Sequence, residues 1–113
     1  MKRVEKPWGY EIWWAQTDRY VGKILHINAG HQLSLQYHDQ KEETLYLQHG
    51  EMDMQFGPSA DQLETKRMHV GDVHHNPPGM VHRMIAVTDV DLFEVSTPEV
   101  EDVVRLEDAY GRS

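Results

Sequence analysis

Along most of this chain apolar and polar residues alternate with a period of two, the mark of strands that bury one side. Tyr10 to Trp14 is aromatic and β-branched, and Tyr20 to Ile27 alternates as far as the turn Asn28-Ala29-Gly30. Extended segments over 32–38 and 43–49 flank a polar turn, Asp39 to Glu42. In the first, Ser34, Gln36 and His38 share one side while Leu33, Leu35 and Tyr37 share the other. In the second, Glu43, Leu45 and Leu47 alternate with Thr44, Tyr46 and Gln48. His49-Gly50-Glu51 predicts a hairpin into 51–56, which aligns Met52, Met54 and Phe56; 62–68 is a polar strand or loop. Val73 to His75 precedes the rigid loop Asn76-Pro77-Pro78-Gly79, and Val81 to Val87 and Val90 to Ser96 are joined by a turn at Thr88-Asp89. Lys6-Pro7-Trp8-Gly9 is a turn leading into the first strand, and Glu101 to Tyr110 is either a short helix or an extended stretch. Short strands, regular turns and no βαβ alternation predict an all-β sandwich or barrel, one domain over residues 1–113.

Charge and composition narrow the partners. Nineteen acidic against 11 basic residues leave a net charge of −8, with no Lys/Arg run, which argues against nucleic acid and anionic membranes. With no cysteine, any metal must be held by histidine, carboxylate or amide groups. The N-terminal MKRVEKPWGYEIWW has no apolar signal region, and no apolar run reaches the ~20 residues needed to cross a bilayer. The expectation is a cytoplasmic protein.

The candidate chemistry lies on the alternating positions. Gln36 and His38 face one side, and Glu43 begins the next strand, so an amide oxygen, an imidazole and a carboxylate converge as ligands suited to a divalent first-row metal. His82, just after the Pro-Gly loop with Met84 and Ala86 on its side, is a candidate fourth group. His26, His49, His69 and His74 are expected outside the site; His31 and His75 remain open. Lys23 shares the parity of Leu25 and Ile27 and either enters the barrel, toward an anionic ligand, or is solvated. Arg83 should face away from His82, and Trp8, Trp13, Trp14 and the methionine stripe are read as core or subunit interface. The apolar side of Leu33, Leu35 and Tyr37 needs cover from the N-terminal aromatic segment or a second subunit, which predicts a homodimer.

The spacing Gly30-x5-Gln36-x-His38-x4-Glu43-x6-Gly50 resembles the first cupin motif with glutamine for its first histidine. Gly71-x5-Pro77-x-Gly79-x2-His82 resembles the second, with Ala86 where asparagine is usual. The chain is also similar to the cupin domain of bifunctional mannose-6-phosphate isomerases, through Lys6-Pro7-Trp8-Gly9, Leu33-Ser34-Leu35-Gln36, Val104-Arg105-Leu106-Glu107-Asp108 and Tyr110-Gly111-Arg112. The nucleotidyltransferase domain of those enzymes has no counterpart in this sequence. They carry a histidine run where this chain has His38-Asp39-Gln40, so Gln40 is the alternative to Gln36; Gln36 preserves the motif gaps. The resemblance implies a single-domain jelly-roll barrel (a double-stranded β-helix) and a divalent metal, zinc, manganese, iron or nickel, bound by Gln36, His38, Glu43 and His82. It further implies aldose–ketose isomerisation of a sugar phosphate such as mannose 6-phosphate. Glu94 and His31 are then candidate bases, and Lys23 and Arg112, with Arg105 behind them, candidate phosphate partners. The alternatives are an iron-dependent oxygenase and a non-catalytic sugar-binding or sensing module.

Overall fold

The computed structural model describes residues 1–112. Its elements are β1 (Lys2–Lys6), β2 (Gly9–Gln16), β3 (Val21–Ile27), β4 (Leu35–Tyr37), β5 (Glu43–His49), β6 (Met52–Gly57), β7 (Glu64–Met68), β8 (Val73–Asn76), β9 (Val81–Ala86), β10 (Val90–Ser96) and β11 (Val104–Glu107). Two antiparallel sheets form, in the orders β1-β2-β3-β10-β5-β8 and β11-β4-β9-β6-β7. This is an all-β jelly roll, and among the described residues no helix is long and apolar enough to cross a membrane.

The inward sides of the strands explain how one barrel holds both a core and a polar site. Each runs from polar to apolar: Lys23 to Leu25 and Ile27, Glu43 to Leu45 and Leu47, His82 to Met84 and Ala86, and, reversed, Ser96 and Glu94 to Leu92 and Val90. The antiparallel register stacks like ends together, pairing Glu94 with Lys23, Ser96 with Glu43, and Leu92 with Leu25 and Leu47. One end is therefore a packed apolar plug in which Trp8 and Leu33 join Met52, Met54 and Met68. Each such fully buried Leu or Met contributes about 1.5–3 kcal/mol of transfer free energy. The other end gathers the buried polar side chains. Gly50 closes the β5–β6 hairpin at φ 90°, where a Cβ would lie 2.1 Å from the Asp89 carbonyl oxygen, so only glycine fits.

Several sequence expectations change. Residues 2–6 are a strand, since Lys2 to Lys6 pair in register with Gly9 to Trp13. The segment 32–38 is regular only over β4, with an isolated bridge from Gln32 to Ile85. Leu33 and Leu35 are not an exposed apolar side, being 8% and 5% accessible. Leu33 enters the core, and β11 lies along β4. Of the two alternatives for 101–110 the structure has the extended one, because Val104 and Arg105 pair with Tyr37 and Gln36. The cover that Leu33 and Leu35 needed thus comes from the chain itself.

Candidate metal centre

His38, Glu43 and His82 arrive from three parts of the chain: the end of β4, the start of β5 and the start of β9. One potential ligand atom from each lies within 4.8 Å of the others, and all three residues are buried. His38 Nε2 is 3.5 Å from Glu43 Oε1, and His82 Nε2 is 3.5 Å from Glu43 Oε2. The other ring nitrogens are tied to backbone carbonyls, His38 Nδ1 to Asp102 and His82 Nδ1 to Met80. A carbonyl only accepts, so Nδ1 carries the proton on each ring and Nε2 presents a lone pair. Neither Nε2 has a hydrogen-bond partner, although both are buried. Two oriented lone pairs converging on a carboxylate in a dry site fit a divalent cation, and leaving them unmatched costs free energy.

Gln36 stands directly opposite His82 across β4 and β9 and lines the same cavity as His38. Its Oε1 accepts the Ser34 hydroxyl and keeps a second lone pair. Gln40 is exposed, and its backbone amide bonds the Asp102 carboxylate. The polar turn holding it is clamped by that carboxylate, which accepts the amides of Asp39, Gln40 and Lys41. Those bonds, from Gln40 and Lys41 first, hold the Asp102 carboxyl below its usual range.

Behind the ligands, Asn76 Nδ2 donates to Glu43 Oε2 at 3.1 Å, and His74 Nε2 donates to Asn76 Oδ1 at 2.9 Å. Asn76 is wholly buried. In front of them lies Lys41, whose ammonium is 3.2 Å from Glu43 and 3.3 Å from Glu94. Burial alone would lower the Lys41 pKa, but Glu94 and Glu43 overcome it and hold the amine protonated. Burial would raise Glu43; contact with His38 and the charges of Lys41 and His82 pull it well below the carboxylate range. Glu94 goes the other way, raised by burial and by the neighbouring Glu43 charge. Burial lowers His82, against the pull of Glu43, which favours the neutral ligand form.

The cavity in front of the cluster has a volume of about 110 Å³ and is walled by Lys6, Lys23, Lys41, Arg105 and Arg112, with Glu11, Gln36, His38 and Trp13. Lys23 does point into the barrel, 3.4 Å from Glu11 and 4.1 Å above the Trp13 ring. Arg112 is held by a two-pronged contact with Asp108 at 3.0 Å. His31 bonds the Tyr110 hydroxyl at 2.7 Å. Arg83 faces outward, paired with Glu107 at 2.7 Å. His75 pairs with Glu42 at the surface, and His26 with Asp91. Sequence reasoning missed Lys41, Asn76, Glu11 and Asp102. Asn76 had a legible signal, standing two residues from His74 on an alternating strand; Lys41, in a turn, had none.

The Cupin family model matches residues 16–102. No curated protein matches the sequence. Among solved structures, KdgF from Halomonas sp. superposes with a TM-score of 0.78 at 16% identity, over 89% of this chain and 91% of that one. Oxalate decarboxylase from Lactobacillus farciminis, solved as a formate complex, gives 0.76 at 22% identity, over 93% of this chain and 33% of its own. The Bacillus subtilis oxalate decarboxylase, described with Mn(II) centres, gives 0.76 at 18% identity, over 94% of this chain and 30% of its own. The chain thus spans about a third of either decarboxylase, and identities this low establish a shared fold.

Proposed function

The chain belongs to the cupin family, and from that premise we propose that it is a metal-dependent enzyme acting on a small anionic, oxygen-rich substrate, specifically an aldose–ketose isomerase of a sugar phosphate. The observation that carries this reading is that the His38–Glu43–His82 cluster reaches, through His38, a cavity walled by lysine and arginine and by Gln36, in a protein whose net charge is −8. Local cationic lining against an acidic background selects anions. A divalent ion held by His38, Glu43, His82 and Gln36 would supply a Lewis acid to adjacent carbonyl and hydroxyl oxygens.

The depth of each cation suggests how a substrate lies. Lys23 and Lys41 are buried, whereas Lys6, Arg105 and Arg112 are half-buried and border the mouth. At about 110 Å³ the cavity is smaller than the ~150 Å³ void that accepts a benzene ring. A hexose phosphate would insert its carbonyl end and leave the phosphate beside Arg105 and Arg112. Glu94 is the chain's candidate for moving a proton between C2 and C1. Burial and the neighbouring Glu43 charge raise its pKa, and the Lys41 ammonium lies 3.3 Å from it. His31, engaged by Tyr110, is the weaker candidate.

The test is hydrogen exchange at C2 of hexose 6-phosphates by metal-loaded protein, with calorimetry against the free hexose. Exchange, and a preference for the phosphate that weakens with salt, are expected. Phosphate-selective binding without exchange would make the protein a binding module. Equal affinity for mannose and its 6-phosphate would remove the sugar-phosphate reading.

A further inference from the structure

The inward side of the six-stranded sheet is taken up by the core and the candidate centre, but its outward side carries an apolar surface that neither uses. Register aligns one row across five neighbouring strands: Ile12 opposite Ile24, Ile24 opposite Phe93, Phe93 opposite Tyr46, and Tyr46 opposite Val73. The adjacent row adds Val95, and Trp14 lies flat over Gly22, where a Cβ would meet its ring at 2.6 Å. Trp14 is 48%, Phe93 40%, Tyr46 42%, Val73 55% and Val95 52% exposed. No charge interrupts the row. Of the charged groups around it, Arg3 pairs with Glu5 and His26 with Asp91, each at 2.7 Å, and His75 with Glu42, while Arg19 stands at one corner beside Val95.

We propose that this face is the contact between two copies of the chain, packed sheet against sheet. The area is sufficient. An aromatic side chain carries ~150–250 Å², so the three rings at these exposures leave roughly 70–120 Å² each, and the valines and isoleucines bring the patch to the order of 400–500 Å². A standard interface hides ~800 Å² per partner, ~56–65% of it apolar, which asks for about 450–520 Å².

The shape is self-complementary as well. Trp14, Ile24 and Phe93 border a groove of about 310 Å³, while Tyr46 and Val73 stand on the other half of the same row. A two-fold axis running along the strands between aligned sheets places the β2–β3 half of one copy over the β5–β8 half of the other. Tyr46 of each copy then enters the groove of its partner, and the contact is made twice. Because the row is uncharged and the acidic groups beside it, Glu5, Asp91 and Glu42, are each paired, two chains of net charge −8 meet there without opposing bare carboxylates. This contact lies on the opposite side of the sheet from the metal centre and is independent of the functional reading.

Sedimentation equilibrium of the intact chain, with and without Phe93→Glu, Tyr46→Glu and Val73→Glu, tests the proposal. Wild type is expected to be a dimer at micromolar concentration, and each substitution at the groove or its insert should raise the dissociation constant by at least ~30-fold. All three residues are exposed, so circular dichroism should remain native. Val73, on the edge strand, keeps the test valid if a central substitution misfolds. Leu106→Glu, 47% exposed on the other sheet, should leave association unchanged. A wild-type monomer at ~100 µM, or a dimer indifferent to Phe93→Glu and Val73→Glu, overturns the proposal.

Discussion

Replacing Lys41 by methionine tests whether the buried charge network is a unit. The Lys41 side chain is 7% exposed, and its partners Glu43 and Glu94 are 2% and 4% exposed. Methionine keeps most of the volume and deletes the one ammonium that touches both carboxylates. Removing one member of a buried ionic cluster costs ~3–5 kcal/mol, because the remaining charges stay desolvated without a partner. At about 4 °C per kcal/mol for a chain of this size, the metal-free melting temperature should fall by ~12–20 °C in calorimetry with chelator present. The deficit has a sign in pH. Without Lys41 the already raised Glu94 carboxyl rises further while Glu43 becomes less depressed, and a group with a raised folded pKa gives up stability as pH increases, so through Glu94 the loss should be larger at pH 8 than at pH 5. It should also shrink when a divalent ion is added, since a cation at His38, Glu43 and His82 replaces the missing charge. A fall below ~4 °C, the scale of an exposed ion pair, would refute the argument.

Other expectations follow from the same geometry. His38→Ala and His82→Ala should each lose bound metal, whereas His69→Ala, 65% exposed in its side chain, should retain it; stoichiometric metal in His82→Ala would break the assignment. Gln36→Ala should weaken metal binding and Gln40→Ala leave it intact, read by competition with a chelator. Asn76→Ala should lower metal affinity by ~10–100-fold, because Glu43 loses the amide that orients it, and unchanged affinity would reduce Asn76 to packing. Metal-free protein should lose stability in two stages on acidification. Burial depresses His82 from its ordinary 6.5, so stability begins to drop as pH falls through about 6.5. Glu43, although burial would raise it, is depressed from 4.5 by His38, Lys41 and His82, so a second loss starts near pH 4.5. Urea titrations across pH would show both stages, and a flat profile from pH 7 to 5 would contradict the first.

Alternation along the chain was enough to determine the fold class, and it determined which way Glu43, His82 and the Met52–Met54 stripe face, because that is set by neighbouring residues in one strand, while for Lys23 it left barrel and solvent both open. The two glycine-flanked spacings likewise marked His38, Glu43 and His82 before any contact was known. Three things were decided by tertiary structure. Leu33 and Leu35 have the pattern of an exposed apolar side and are buried, Leu33 within the core cluster and Leu35 on a strand whose free edge β11 closes from ~70 residues away. The apolar row on the back of the six-stranded sheet combines residues from five strands, and no local window contains it. Lys41 lies in a turn, where alternation has no meaning. It points inward in a turn that Asp102 fixes, its carboxylate accepting three consecutive turn amides while its carbonyl accepts a hydrogen bond from His38 Nδ1–H. Facing is a property of a residue and its neighbours, but pairing depends on which distant strands the burial of the whole apolar end brings side by side, and the charge network exists only once that pairing is made.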